Sequence, residues 1–113
     1  MDNNEIKRKA KRIDVSYEVK IRFAGRVGYT TVALKDISVL GFKAIISGRL
    51  VKVGEILEIK MCIDNREIQC QGKITWVLML RAGFGNITIL DVGVAFFDMN
   101  IEDKGFLDKL IGE

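Results

Sequence analysis

The alternation of apolar and polar residues between positions 15 and 23 constrains the fold of this 113-residue chain more than any other feature. Five apolar side chains fall on one face of an extended segment, and polar or charged side chains fall on the other. This period of two is typical of a half-buried antiparallel strand. The apolar set is Val15, Tyr17, Val19, Ile21 and Phe23.

Similar apolar segments recur along the chain, and glycine or polar turns separate them. They predict six strands, and the last has an inward set of Leu90, Val92, Val94 and Phe96. Six strands joined by short turns predict a small, closed or nearly closed antiparallel barrel. The strands are expected at 14–23, 30–35, 42–46, 55–63, 67–80 and 87–97, with a loop at 81–86.

The last residues change to a helical period. Apolar residues at 106, 107, 110 and 111 share one face of a helix over 100–111. Asn100 is expected to cap its first turn, where the helix dipole favours the acidic residues Glu102 and Asp103. We expect this helix to close one end of the barrel or to cover apolar residues on its wall.

Composition places the chain among soluble single domains, because 49% of residues are hydrophobic and 29% are charged. The net charge is only +3, which argues against a polycation that coats DNA. No apolar run reaches the roughly 18 residues needed to span a bilayer, and the first residues lack the core of a signal peptide. We therefore expect a cytoplasmic protein.

The chain contains no histidine, which excludes Ser-His and Cys-His nucleophile systems and most zinc sites. Asp64, Glu67 and Asp91 are scattered on turns or outward strand positions, so no pair is placed for acid/base catalysis. We expect neither an enzyme nor a cofactor. Cys62 and Cys70 are predicted to face opposite sides of the sheet, which disfavours a disulfide and fits reduced thiols.

Two short motifs suggest an anion-binding clamp. Five cations occupy six positions in the leader, namely Lys7, Arg8, Lys9, Lys11 and Arg12. Asp36-Ile37-Ser38-Val39-Leu40-Gly41 forms a turn in which the carboxylate and hydroxyl can bond the local backbone, and glycine allows a positive φ. Taken alone, each motif is more often a solvated tail or a simple turn.

Together these motifs resemble the PilZ domains, which are bacterial receptors for cyclic di-GMP. Arg8 to Arg12 match the family's R-x-x-x-R, Asp36 to Gly41 match its [DN]-x-S-x-x-G, and Trp76 with Gly93-Val94-Ala95-Phe96 match its later strands. The resemblance implies a six-stranded antiparallel β-barrel with a short C-terminal helix over 14–113, preceded by a flexible basic arm over 1–13.

The resemblance also implies the ligand and its contacts. Arg8 and Arg12 would hold the guanines and phosphates of cyclic di-GMP, while Asp36 and Ser38 would bond a guanine edge. Gly41 would keep the backbone clear of the ligand, and Lys7 and Lys11 are further candidates for contact. Ordering of the arm would pass the signal to an unknown protein partner in motility, pilus, polysaccharide or regulatory machinery.

Other functions remain open at this point. A small barrel with a basic arm can bind RNA or single-stranded DNA, although the aromatic residues here occupy mostly inward positions. A degenerate family member would act only as an interaction module.

The apolar stretch 76–80 also has two interpretations. The favoured one places Trp76 in the core and the outward apolar residues beneath the terminal helix. In the other, these residues form an exposed patch for a partner or a homodimer.

Overall fold

The structure, a computed structural model, describes residues 17–84 and 87–111 and shows seven strands and one helix. The prediction of a mainly β fold with a C-terminal helix is confirmed. The strand count differs because the segment expected at 30–35 divides at Val32 into two strands. The elements are β1 Tyr17–Phe23, β2 Thr30–Thr31, β3 Ala33–Ile37, β4 Gly41–Ser47, β5 Ile56–Ile63, β6 Arg66–Phe84, β7 Ile87–Phe97 and α1 Ile101–Ile111.

One stretch of chain supplies both edge strands of the sheet. The strands pair antiparallel in the order β2-β1-β5-β6-β7-β4-β3, so the two outermost strands are consecutive in the sequence. Between them, the Val32 N–H donates to the carbonyl oxygen of Val19 at 3.0 Å, and the Val32 side chain is buried. The sheet therefore curls back on itself as a half-barrel.

The interior follows the predicted alternation. The inward residues of β1, β5, β6 and β7 form one apolar core, in which burial of each large side chain contributes about 1.5–3 kcal/mol. Leu90, Val92 and Val94 are buried as predicted, whereas Phe96 is half-buried and its ring centroid lies 5.9 Å from that of Phe42. Phe96 nevertheless packs against the core, so the alternation identifies the inner face of β7.

Helix α1 begins with the predicted cap. The Asn100 Oδ1 accepts a hydrogen bond from the Asp103 N–H at 2.8 Å. The Oδ1 of the buried Asp103 also accepts two hydrogen bonds from the Arg66 guanidinium, at 3.1 and 3.0 Å. Leu107 and Ile111 are buried beneath the helix. These contacts hold the start of α1 against the start of β6.

The far end of β6 differs from the prediction. The expected loop from position 81 is wrong, because β6 continues to Phe84 and pairs there with Ile87. Leu78, Met79 and Leu80 are 54%, 49% and 53% exposed. The helix does not cover them, since it is held at the opposite end of β6. These residues therefore form an exposed apolar patch and are not covered by the terminal helix.

The predicted core position of Trp76 is also wrong. A register shift lies between Ile74, which pairs with Val94, and Trp76, which pairs with Gly93. This β-bulge adds one residue to β6, so Ile74 points into the core and Trp76 points outward. The indole is 37% exposed. Simple alternation fails here because the extra residue reverses the faces.

The two cysteines lie as the alternation predicts. Cys62 is exposed and Cys70 is buried, and both are free thiols. Burial first, and then the nearby carboxylates of Asp103, Asp98 and Glu58, disfavour a thiolate and together raise the pKa of the Cys70 thiol to about 12.

We predict that one thiol per folded chain reacts with iodoacetamide at pH 8. Cys70 keeps its proton well below its pKa of about 12 and is also shielded by the core, so alkylation is confined to Cys62. Mass spectrometry of the labelled peptides measures this. Denatured protein is the control and takes two labels, while equal labelling of both cysteines in the native protein would contradict the structure.

Candidate functional site

The two polar residues of the predicted motif lie at the β3–β4 turn, Asp36 near the end of β3 and Ser38 in the turn itself. The Ser38 N–H donates to the carbonyl oxygen of Gly41 at 2.9 Å, and its Oγ accepts from the Leu40 N–H at 3.2 Å. The Asp36 Oδ1 accepts from the Ile37 N–H at 2.9 Å. Both side chains thus support the turn itself, and both are exposed on its surface.

Gly41 is required by close packing and not by an unusual φ. The expectation of a positive φ is wrong, because Gly41 is not among the residues that adopt one. A Cβ at this position would collide with the carbonyl oxygen of Val94. The neighbouring Leu40 carbonyl accepts from the Phe96 N–H at 2.9 Å. Together, these contacts fix the turn against β7.

A shallow depression of about 220 Å³ lies beside this turn on the outer face of the barrel. It brings Asp36, Ser38 and Gly41 together with residues of two other strands, β6 and β7. Small residues on β4 and β7 leave room for it, since larger side chains there would fill the space. Its other lining residues include Leu40, Lys43, Thr75, Trp76, Gly93 and Ala95.

Trp76 belongs to this depression, and the sequence analysis missed it. Its indole lies directly over Gly93, where a Cβ would collide with Nε1. Because the bulge turns Trp76 outward, the exposed part of the ring offers an aromatic surface to a planar ligand. The only signal in the sequence was Gly93, which leaves room for the indole, but the period of apolar residues does not show that Gly93 lies opposite Trp76.

Two lysines lie near the acidic part of the motif. Lys43 is the cross-strand neighbour of Asp36 and is exposed at the depression. Lys35 lies in an irregular part of β3, and its Nζ is 2.7 Å from the Asp91 Oδ2. Asp91 occupies an outer-face position as predicted, but it is buried, and this ion pair gives it a structural contact.

The structure brings together the described half of the predicted site and leaves the basic half untested. Arg8, Arg12, Lys7 and Lys11 lie outside the described residues, as does the boundary proposed at position 13. Over 17–84 and 87–111, no cluster of acidic or thiol side chains could hold a metal ion. Within the same ranges, no helix has the length and hydropathy needed to cross a membrane.

The chain forms a curled antiparallel sheet with a polar and aromatic depression on its outer face. The sequence profile of the PilZ domain matches residues 6–113, and the chain therefore belongs to the PilZ domain family. PilZ domains are non-enzymatic effector modules, and the family is known for binding cyclic di-GMP. No curated protein and no solved structure matches the chain.

We predict that Gly93→Ala displaces the indole of Trp76 and lowers the free energy of unfolding by about 1–3 kcal/mol, a typical cost of overpacking. Urea unfolding measures the loss, and emission from the single tryptophan reports the displacement.

Gly105→Ala is the matched control, because a Cβ at Gly105 meets nothing within 4 Å. Alanine favours the helix there and raises stability by about 0.5–1 kcal/mol. Unchanged emission and stability in Gly93→Ala would contradict the placement of the indole.

Proposed function

We propose that this chain is a non-enzymatic receptor for cyclic di-GMP, with the depression and the basic arm as the two halves of its binding site. One observation carries the proposal: Trp76 lines a single depression with Asp36, Ser38 and Gly41, although it is distant from that motif in the sequence. The arginines of the arm supply the second half.

The chemistry of each group suits one part of a guanine nucleotide. The Asp36 carboxylate accepts hydrogen bonds from the N–H donors of the guanine, and the Ser38 hydroxyl adds a further contact. The indole of Trp76 provides a surface on which a base can stack. Arg8 and Arg12 suit the O6 and N7 acceptors and the phosphates, because a guanidinium binds them with two parallel hydrogen bonds.

The direction of the strands supports a reach of the arm to the depression. Tyr17 begins β1, which runs antiparallel to the stretch from β2 into β3 that ends at Ile37. Arg12 precedes Tyr17 by five residues, and five extended residues span up to about 18 Å. The depression is smaller than the roughly 300–1,000 Å³ of complete small-molecule sites. This supports the idea that the arm encloses the rest of the ligand.

We predict that calorimetry detects saturable binding of cyclic di-GMP, and that Arg8→Ala or Arg12→Ala weakens it at least about tenfold, the value of one charge-assisted hydrogen bond. Arg8→Lys weakens it as well, since lysine keeps the charge but cannot form a bidentate contact. Ligand binding also changes the emission of Trp76.

Lys109→Ala removes one exposed cation from α1 and should leave the affinity unchanged. Wild-type affinity in the Arg8→Ala variant would contradict the proposed site. Affinity that rises with the length of single-stranded RNA and falls steeply with salt would instead support the nucleic-acid alternative. A properly folded protein that takes up neither ligand would be an interaction module.

The proposed signal is ordering of the arm, which a protein partner then detects. We predict that residues 1–13 gain protection from hydrogen exchange when cyclic di-GMP binds, because arginine contacts restrict the backbone that carries them. Mass spectrometry measures this on N-terminal peptides, with peptides from β5 as the internal control. Equal exchange with and without ligand would argue against this relay.

Sedimentation of the same samples tests whether the protein forms a homodimer.

A further inference from the structure

A larger cavity of about 660 Å³ lies at the other end of β4 from the depression. The β1–β2 connection and the residues that follow β4 form its walls, and it shares no lining residue with the depression. Its volume falls within the roughly 300–1,000 Å³ that small-molecule sites occupy. Nothing in the proposed binding of cyclic di-GMP uses this cavity.

The lining of this cavity has the composition of an anion site. Arg22, Arg26 and Arg49 contribute to it, and no carboxylate does. Hydroxyl-bearing side chains add hydrogen-bond donors, and buried apolar residues of the barrel provide a floor. The hydroxyl-bearing residues are Tyr29, Thr30, Thr31 and Ser47.

The positions of two arginines are supported by aromatic rings. The guanidinium carbon of Arg49 lies 3.7 Å from the centroid of the Phe23 ring, and its Nη2 is 3.0 Å from the Glu55 Oε2. The guanidinium carbon of Arg22 lies 5.0 Å from the centroid of the Tyr29 ring. Within the described residues, neither Arg22 nor Arg26 forms an ion pair. Glu58 lies directly across the strands from Arg22, but the two side chains form no ion pair, so both guanidiniums can still bind an anionic ligand.

Further positive charge lies on the outer face beside Tyr29. The Lys60 Nζ is 4.7 Å from the Tyr29 ring centroid, and Lys60 pairs directly across the strands with Lys20. Like charges in directly opposed positions destabilise a sheet. An anion bound near Lys20 and Lys60 would attract both ammonium groups and so offset the repulsion between them.

We propose that this cavity binds a small phosphate-bearing ligand at a site separate from the nucleotide depression. Guanidiniums match phosphate oxygens with paired, charge-assisted hydrogen bonds, and the nearby hydroxyls complete the contacts. The apolar floor favours an organic phosphate over the inorganic ion, because it gives the rest of the ligand a surface to contact. This proposal does not depend on the binding of cyclic di-GMP.

Titration with sodium pyrophosphate at constant ionic strength tests the site, with backbone amide NMR signals as the readout. We expect saturable shifts at Arg22, Arg26, Thr30 and Ser47. The double variant Arg22→Gln/Arg26→Gln should weaken binding at least about tenfold, because it removes two charge-assisted contacts. The matched control Lys104→Gln/Lys109→Gln removes the same charge from α1 and should change binding less than about twofold.

Melting temperature provides a second measurement that does not need resolved signals. Pyrophosphate should raise it for the wild type and the α1 control, but not for the arginine double variant. Circular dichroism verifies that each variant is folded. Shifts that do not saturate, or equal weakening in the α1 control, would overturn the proposal. Pyrophosphate displacement by single-stranded RNA with an affinity that grows with length would overturn it in favour of a nucleic-acid surface.

The two proposed sites can fail independently. Arg22→Gln/Arg26→Gln should bind cyclic di-GMP with wild-type affinity, whereas Arg8→Ala/Arg12→Ala should keep pyrophosphate binding at the cavity. A wild-type protein that binds pyrophosphate but not cyclic di-GMP would refute the depression and leave the cavity standing. Wild-type pyrophosphate binding in the Arg22→Gln/Arg26→Gln variant would refute the cavity alone.

Discussion

The close approach of β4 and β7 is the constraint on which the candidate site depends. Gly41 permits it, because any side chain there would meet the carbonyl oxygen of Val94. Backbone hydrogen bonds then hold the Ser38 turn against β7, and the outer face beside it stays shallow. Polar side chains on a turn can bind a ligand specifically only when a rigid sheet fixes their orientation. The packing of β4 against β7 provides that rigidity here.

The sequence predicts those features that depend on local periodicity. Alternation predicts the strands, the inward residues of β7 and the opposite faces of Cys62 and Cys70, and Asn100 marks the start of the helix. It fails at Trp76, because a bulge depends on pairing with β7 and leaves no local signal. It also fails at Gly83, where continued pairing with β7 outweighs the turn preference of glycine.

The candidate site shows the same division. Asp36, Ser38 and Gly41 are recognisable because turn chemistry confines these residue types to a short motif. Their meeting with Trp76 and Gly93 could not be predicted, since it requires the order of strands in the sheet. The cavity that contains Arg22 and Arg49 escapes detection for the same reason, because its walls come from segments that no sequence motif connects.

The exposed apolar stretch of β6 has a consequence for solubility. Residues 75–80 carry no charge and no proline, which is the composition of segments that stack into cross-β fibrils. Lys73 and Arg81 flank this stretch on either side. Their mutual repulsion between neighbouring molecules opposes such stacking, as flanking charges do beside other aggregation-prone strands. Like charges at these two positions therefore disfavour aggregation of the protein at high concentration.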